Sequence, residues 1–144
     1  MRARSPLLRP LGWATVCVAA SACAELRYQP EEVVLPPDPA AFAALADAIR
    51  VEFPRFQEFD PRAQRLQSEW SEYDGGAVPG RRRVTVFPVA PGRVGIAVER
   101  IWLRTTLAGD PYWSRPESDR GSERQLGDAV RGRLEAGLSP RPGS

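Results

Sequence analysis

The sequence predicts an α+β fold: two amphipathic helices packed on one face of a three-stranded antiparallel meander, in the order helix-strand-strand-strand-helix. Three observations carry that expectation. Apolar residues recur at helical spacing over residues 42–53 and again over 126–134. Between them lie three strand-like runs separated by Gly and Pro turn signals. Two helices on one face of a sheet is the simplest two-layer way to bury both patterns.

Residues 24–37 read as a tether, kept extended by Pro30, Pro36 and Pro37, with residues 31–35 forming a short edge strand. Asp38 suits the N-cap of the first helix, and Pro39 fits its first position, where a missing N–H costs nothing. Phe42, Leu45, Ile49 and Phe53 then share one face, and Pro54 ends the helix. Residues 54–63 read as a Pro-flanked loop in which Glu58 and Asp60 make no acid–base pair.

The first strand spans residues 64–73, with Leu66 and Trp70 on one side and Gln67, Glu69 and Ser71 on the other. Asp74-Gly75-Gly76 and Pro79-Gly80 mark the turn into the second strand, residues 83–90. Pro91-Gly92 turns into the third, residues 94–103. That strand is apolar on both parities: Val94, Ile96 and Val98 alternate, then Ile101 and Leu103 appear on the opposite side. A bulge near Glu99 and Arg100 would bring both sets to the core, and a central strand covered on both faces is the alternative. Residues 105–121 form a long link with little pattern. Ser122 and Gln125 match a capping box opening a second helix to residue 136, with Leu126, Val130 and Leu134 on its apolar stripe, Gly127 and Gly132 weakening it and Gly137 as C-cap.

Composition narrows the chemistry. The chain has 144 residues, no His, and a formal net charge of +2. All twenty cations are Arg. Three of them, Arg2, Arg4 and Arg9, precede a charge-free run at residues 11–22, so the remainder carries 17 Arg against 18 carboxylates, a net −1. A nearly neutral domain lacks the basic field of a nucleic-acid binder. Without His there is no imidazole base and no His metal ligand. Both cysteines, Cys17 and Cys23, fall near the N-terminus, so the body has no disulfide framework or Cys-based metal site. No phosphate loop, nucleophile elbow or calcium loop occurs. These absences predict a protein without cofactor or metal, and not an enzyme.

The N-terminus is the most specific motif. A basic segment, twelve uncharged residues and then small residues follow the secretory pattern. Twelve residues span only about 18 Å as a helix, too short for the roughly 30 Å hydrocarbon layer. Ala20-Ser21-Ala22-Cys23 resembles the lipobox of bacterial lipoproteins. That resemblance implies cleavage between Ala22 and Cys23, acylation of Cys23 and anchoring in the envelope. Ala24, which is not the Asp associated with inner-membrane retention, then favours the outer membrane's periplasmic face. Ala20 and Ala22 equally satisfy the rule for ordinary signal cleavage, which would give a soluble periplasmic or secreted protein. The expected organisation is therefore a signal peptide at 1–22, lipidated cysteine and tether at 23–37, one domain at 38–137 and a disordered tail at 138–144. The element order is also similar to small helix-grip modules of BamC-type outer-membrane assembly lipoproteins, an analogy of order without a shared motif.

Three side-chain groups are candidate contacts. Arg81, Arg82 and Arg83 form either a cationic patch for anionic lipid or an acidic partner, or a solvated hairpin end. Tyr112 and Trp113, in the long link, either anchor a partner or fold back over the sheet's end. Trp70 and Trp102, on strands sharing a sheet with Phe87 between them, pack as core or form an aromatic platform, and Glu99 pairs structurally with a nearby Arg. The expected function is a non-enzymatic, lipid-anchored envelope protein acting through an unidentified protein partner. The alternative is a module binding peptidoglycan or anionic lipid through Tyr112, Trp113 and Arg81, Arg82 and Arg83.

Mass spectrometry of the mature protein is expected to find an acylated N-terminal Cys23, absent in Cys23→Ser. An intact Met1 would overturn the anchoring reading.

Overall fold

The computed structural model describes residues 29–74 and 76–138. The expected signal peptide at 1–22, Cys23 with the start of the expected tether to residue 28, and residues 139–144 lie outside them. The centre of the molecule is one long hairpin, β5 (Pro79–Ala90) and β6 (Arg93–Thr105). Pro91 and Gly92 make its turn, Gly92 at φ 73°, where an L side chain is disfavoured. Pairing runs without interruption from Gly80↔Trp102 to Pro88↔Val94.

Six shorter strands flank this hairpin, all antiparallel. On β6's free edge lie β1 (Glu31–Val34), then β8 (Glu117–Ser118), then β7 (Pro111–Trp113). On β5's free edge lie β3 (Arg65–Ser68) and β4 (Ser71–Asp74), and β2 (Phe56–Asp60) pairs with β3 beyond. Two helices, α1 (Pro39–Arg50) and α2 (Arg120–Leu138), complete the described residues.

The expected three-stranded meander is thus corrected to an eight-stranded antiparallel sheet that dominates the fold. Residues 54–63, read as a loop, contain β2. Asp60 makes the turn after it, its carboxylate accepting from the Arg62 and Ala63 amides at 3.0 Å. The single strand expected over 64–73 is two strands. Between Gln67↔Thr85 and Ser71↔Arg82, three residues (Ser68, Glu69, Trp70) oppose two (Val84, Arg83). That extra residue is a bulge, so the irregularity lies here and not near Glu99 and Arg100. With β6 regular, Ile101 faces away from Val98, and both are buried.

The long link at 105–121 is also structured, because β6 offers backbone groups that must be paired. Asp119, not Ser122, caps α2: its carboxylate accepts from the Ser122 amide at 3.1 Å and the Ser122 hydroxyl at 2.9 Å, and its carbonyl from the Glu123 amide. Gly137 lies within α2. Asp38 caps α1 as its sequence suggests, accepting from the Ala40 amide at 2.9 Å.

The core lies between the helices and one sheet face. Phe42, Leu45, Ile49 and Phe53 from α1 and its last turn, with Leu126, Val130 and Leu134 from α2, pack on Leu66, Val84, Val86, Val94, Ile96 and Val98. Strand alternation leaves the odd-numbered residues of β5 and β6 on the other face, which no helix covers.

Side chains complete the hairpin's ladder wherever its flanking strands break. Ser68 Oγ accepts from the Val84 amide at 3.0 Å, inside the bulge. Between β1 and β8, buried Glu123 accepts from the Val98 amide at 3.0 Å while the Asp119 amide donates to the Val98 carbonyl. Between β8 and β7, Ser114 Oγ accepts from the Trp102 amide at 3.0 Å. Beyond β1, two arginines of α2 cover the edge: Arg120 donates to the Gln29 carbonyl and Arg131 to the Glu32 carbonyl. Arg131 also pairs with Glu31, a hydrogen bond that raises its pKa despite some desolvation. Gly127 permits this approach, since a Cβ there would meet Glu31 Cγ at 2.6 Å.

Glu123→Ala leaves the Val98 amide without its acceptor and should cost about 2–4 kcal/mol, and Ser68→Ala about 1–2 kcal/mol. Glu123→Gln, which keeps an acceptor oxygen, should cost less than Glu123→Ala. Urea denaturation checks the order. Equal midpoints for wild type and Glu123→Ala would contradict it.

Candidate functional site

The pleat of β5 sends three consecutive arginines to two faces, and each meets a different aromatic ring. Arg82 points to the helix side. Its guanidinium lies 4.2 Å from the Tyr73 ring centre and 5.6 Å from that of Phe53, donates to Ser122 Oγ at 2.8 Å, and pairs with Glu52 at 3.6 Å. This arginine joins β4 and β5 to the end of α1 and the start of α2. Trp102 lies against Gly80, where a Cβ would meet its ring at 2.8 Å, with its ring 5.9 Å from that of Tyr73.

Arg81 and Arg83 point to the open face. Arg83 stacks on Trp70 at 4.6 Å and is bound by Glu99 at 2.6 Å, so its charge is neutralised locally. Arg81 stacks on Trp113, also at 4.6 Å. Arg81 makes no ion pair or hydrogen bond from its side chain among the described residues, although Glu72 stands directly opposite in register.

Two hollows lie on this face. The first, of about 440 Å³, runs over Phe87 and Ala97 beside Pro116. Its polar groups are already paired with each other: Gln67 Nε2 donates to Thr85 Oγ1 at 3.2 Å, and Arg83 holds Glu99. The second, of about 650 Å³, opens at the sheet's end among Glu72, Asp74, Val78, Arg81, Leu103 and Trp113. Glu72 and Asp74, two apart on β4, share a face. Their carboxylates, like the Arg81 guanidinium, have no ion-pair partner among the described residues. This end cleft therefore offers one cation, two anions and an apolar wall, none of them spent on internal bonds.

The expected site residues are only partly brought together. Cys23 and Ala22 lie outside the described residues. Tyr112 and Trp113 are not in a free loop but on β7, opposite Arg104 and Leu103, so they face opposite sides. Trp113 lines the cleft and Tyr112 does not. The arginine triplet is split in the same way, with Arg81 in the cleft, Arg83 beside Trp70 and Arg82 in the helix-side network. Trp70 and Trp102 stand on opposite faces because the bulge at Ser68, Glu69 and Trp70 reverses the parity of β4 relative to β3. Sequence reasoning missed Glu72, Asp74 and Val78. The sequence reading starts the second strand at residue 83, beyond Arg81, so the pairing of Glu72 with Arg81 across the sheet was not legible.

Among the described residues no group of three His, Cys, Asp or Glu is placed to hold a metal ion. No protein-family model matches the sequence, and no curated protein matches it.

Arg82→Ala should lower stability by about 2 kcal/mol, since it removes a half-buried stack and two polar contacts, whereas Arg81→Ala should change it by no more than about 0.5 kcal/mol. Thermal unfolding of the two variants checks this. Equal losses would show that Arg81, too, is structural.

Proposed function

We propose that this chain is a non-enzymatic, lipid-anchored protein of the bacterial envelope that acts by binding through the open face of its sheet. The supporting observation is the asymmetry of that sheet. Both helices pack on one face, and the other carries Trp113 and Arg81 at an end cleft whose charges are unpaired. Exposed aromatic and arginine side chains are the residue types that anchor interfaces. The lipobox resemblance at Cys23 supports the anchoring, with acyl chains holding the domain at the membrane, most consistently the outer membrane facing the periplasm.

A second reading, a cell-wall binding module, is favoured by the mixed charge of the cleft. Anionic lipid is disfavoured as the ligand, because the arginine triplet is divided between two faces and two carboxylates border Arg81.

Pull-down from solubilised envelopes and co-sedimentation with isolated peptidoglycan, using the full chain, test both readings. Trp113→Ala and Arg81→Ala should each reduce recovery several-fold, with Tyr112→Ala retaining it. Equal recovery by all variants with unchanged melting would refute the open-face assignment.

A further inference from the structure

We propose that the end cleft recognises a zwitterionic amino-acid group, carrying a free ammonium and a free carboxylate on one carbon, at the end of a peptide. The inference rests on the reading of the open face as a binding surface and names the chemistry of its ligand.

Three features of the cleft lead to it. The first is the unpaired state of opposed charges. Glu72 and Arg81 are cross-strand partners on one face, where Cβ atoms stand roughly 4.5–5.5 Å apart and opposite charges ordinarily pair. Instead the guanidinium lies over the Trp113 ring at 4.6 Å. A guanidinium placed over a ring rather than against a carboxylate keeps its N–H groups available, which suits bidentate binding of a carboxylate.

The second is the sign of the surrounding charge. Glu72 and Asp74 with Arg81 give the cleft a net −1. A simple anion such as phosphate would meet Arg81 but be repelled by two carboxylates. A simple cation would be attracted to the carboxylates but repelled by Arg81. A group bearing both charges satisfies both sides, its carboxylate on Arg81 and its ammonium on Glu72 or Asp74.

The third is the wall. Val78 is exposed, Trp113 is partly so, and Leu103 lines the floor, leaving room for an aliphatic chain leading to the charged end. A sugar stacking on aromatic faces fits less well, because both tryptophans of this face, Trp70 and Trp113, already carry a guanidinium on one ring face. Peptidoglycan stem peptides that end in diaminopimelate present this combination: an aliphatic chain whose distal carbon carries both an ammonium and a carboxylate.

Isothermal titration calorimetry of the full-length chain in detergent, with the stem tripeptide L-Ala-γ-D-Glu-meso-diaminopimelate, tests the inference. Two modified tripeptides accompany it, one amidated at the carboxylate on the ammonium-bearing carbon and one acetylated on that carbon's amine. The parent peptide should bind saturably. Each modification should weaken binding by about tenfold or more, the loss of one charge-assisted hydrogen-bonded contact. Arg81→Gln should lose discrimination against the amide, and the double variant Glu72→Gln, Asp74→Asn against the acetylated peptide. Because the ligand changes leave the protein untouched, the result does not depend on how the variants fold. Equal affinity for all three peptides, or unaltered discrimination in a folded Arg81→Gln, would overturn the zwitterion inference. Retention of peptidoglycan or an envelope partner that depends on Trp113, with no affinity for the tripeptide, overturns this inference alone. No retention and no affinity overturn the open-face reading as well.

Discussion

The backbone of the long β5–β6 hairpin must be hydrogen-bonded on both of its outer edges, and no single strand runs the full length of either. Much of the rest of the structure answers that requirement. Short strands cover what they can, and side-chain oxygens from Ser68, Glu123 and Ser114 accept the amides at the breaks. Leaving a buried amide unpaired costs about 1–3 kcal/mol, so these three contacts are structural commitments. Glu123 has the largest reach. Its position in the first turn of α2 means that one carboxylate closes the sheet edge and ties it to the helix whose start Asp119 caps. The Ser68 contact likewise stabilises the bulge that reverses parity between β3 and β4.

That parity change decides what the two faces carry. On the helix side it brings Tyr73 into line with Gly80 and Trp102, and Arg82 binds this row to both helices. On the open side it places Glu72 across from Arg81 and leaves Trp70 under Arg83. Stability and recognition are thereby divided between neighbouring residues of one strand. Arg82 has its charge and its stacking satisfied inside the domain, while Arg81 has only its stacking satisfied. A triplet that looks uniform along the chain contains a structural brace, a neutralised pair and one available guanidinium.

The elements that could be read from sequence are those governed by local rules. Asp38 and Pro39 start α1 through capping and a preset φ, and Phe42, Leu45, Ile49 and Phe53 are buried as their spacing requires. Pro91-Gly92 places the central turn for the same kind of reason. Residues 31–35 and 64–73 also read as strand, but β2, β7 and β8 were invisible because they are too short and too polar to show alternation. β8 is Glu-Ser, β7 is three residues with one proline, and β2 is largely exposed. They exist because the hairpin edge supplies partners, which no local pattern records. The capping of α2 was misread by three residues, since Ser122 matches the motif but Asp119 reaches the amides first. Of the candidate site, Arg81 and Trp113 were legible as residue types, but their meeting across the sheet was not.

By itself the sequence determined the apolar stripes of both helices, the central hairpin and its turn, the near-neutral charge of the body, and a lipobox-like N-terminus. Each follows from residues within a few positions of one another. Only the tertiary structure decided which of three arginines is free, that Tyr112 and Trp113 part company, and that one sheet face is left open. Those outcomes depend on register across strands far apart in the chain. There a single extra residue, held by one serine hydroxyl, turns every later side chain of β4 to the opposite side.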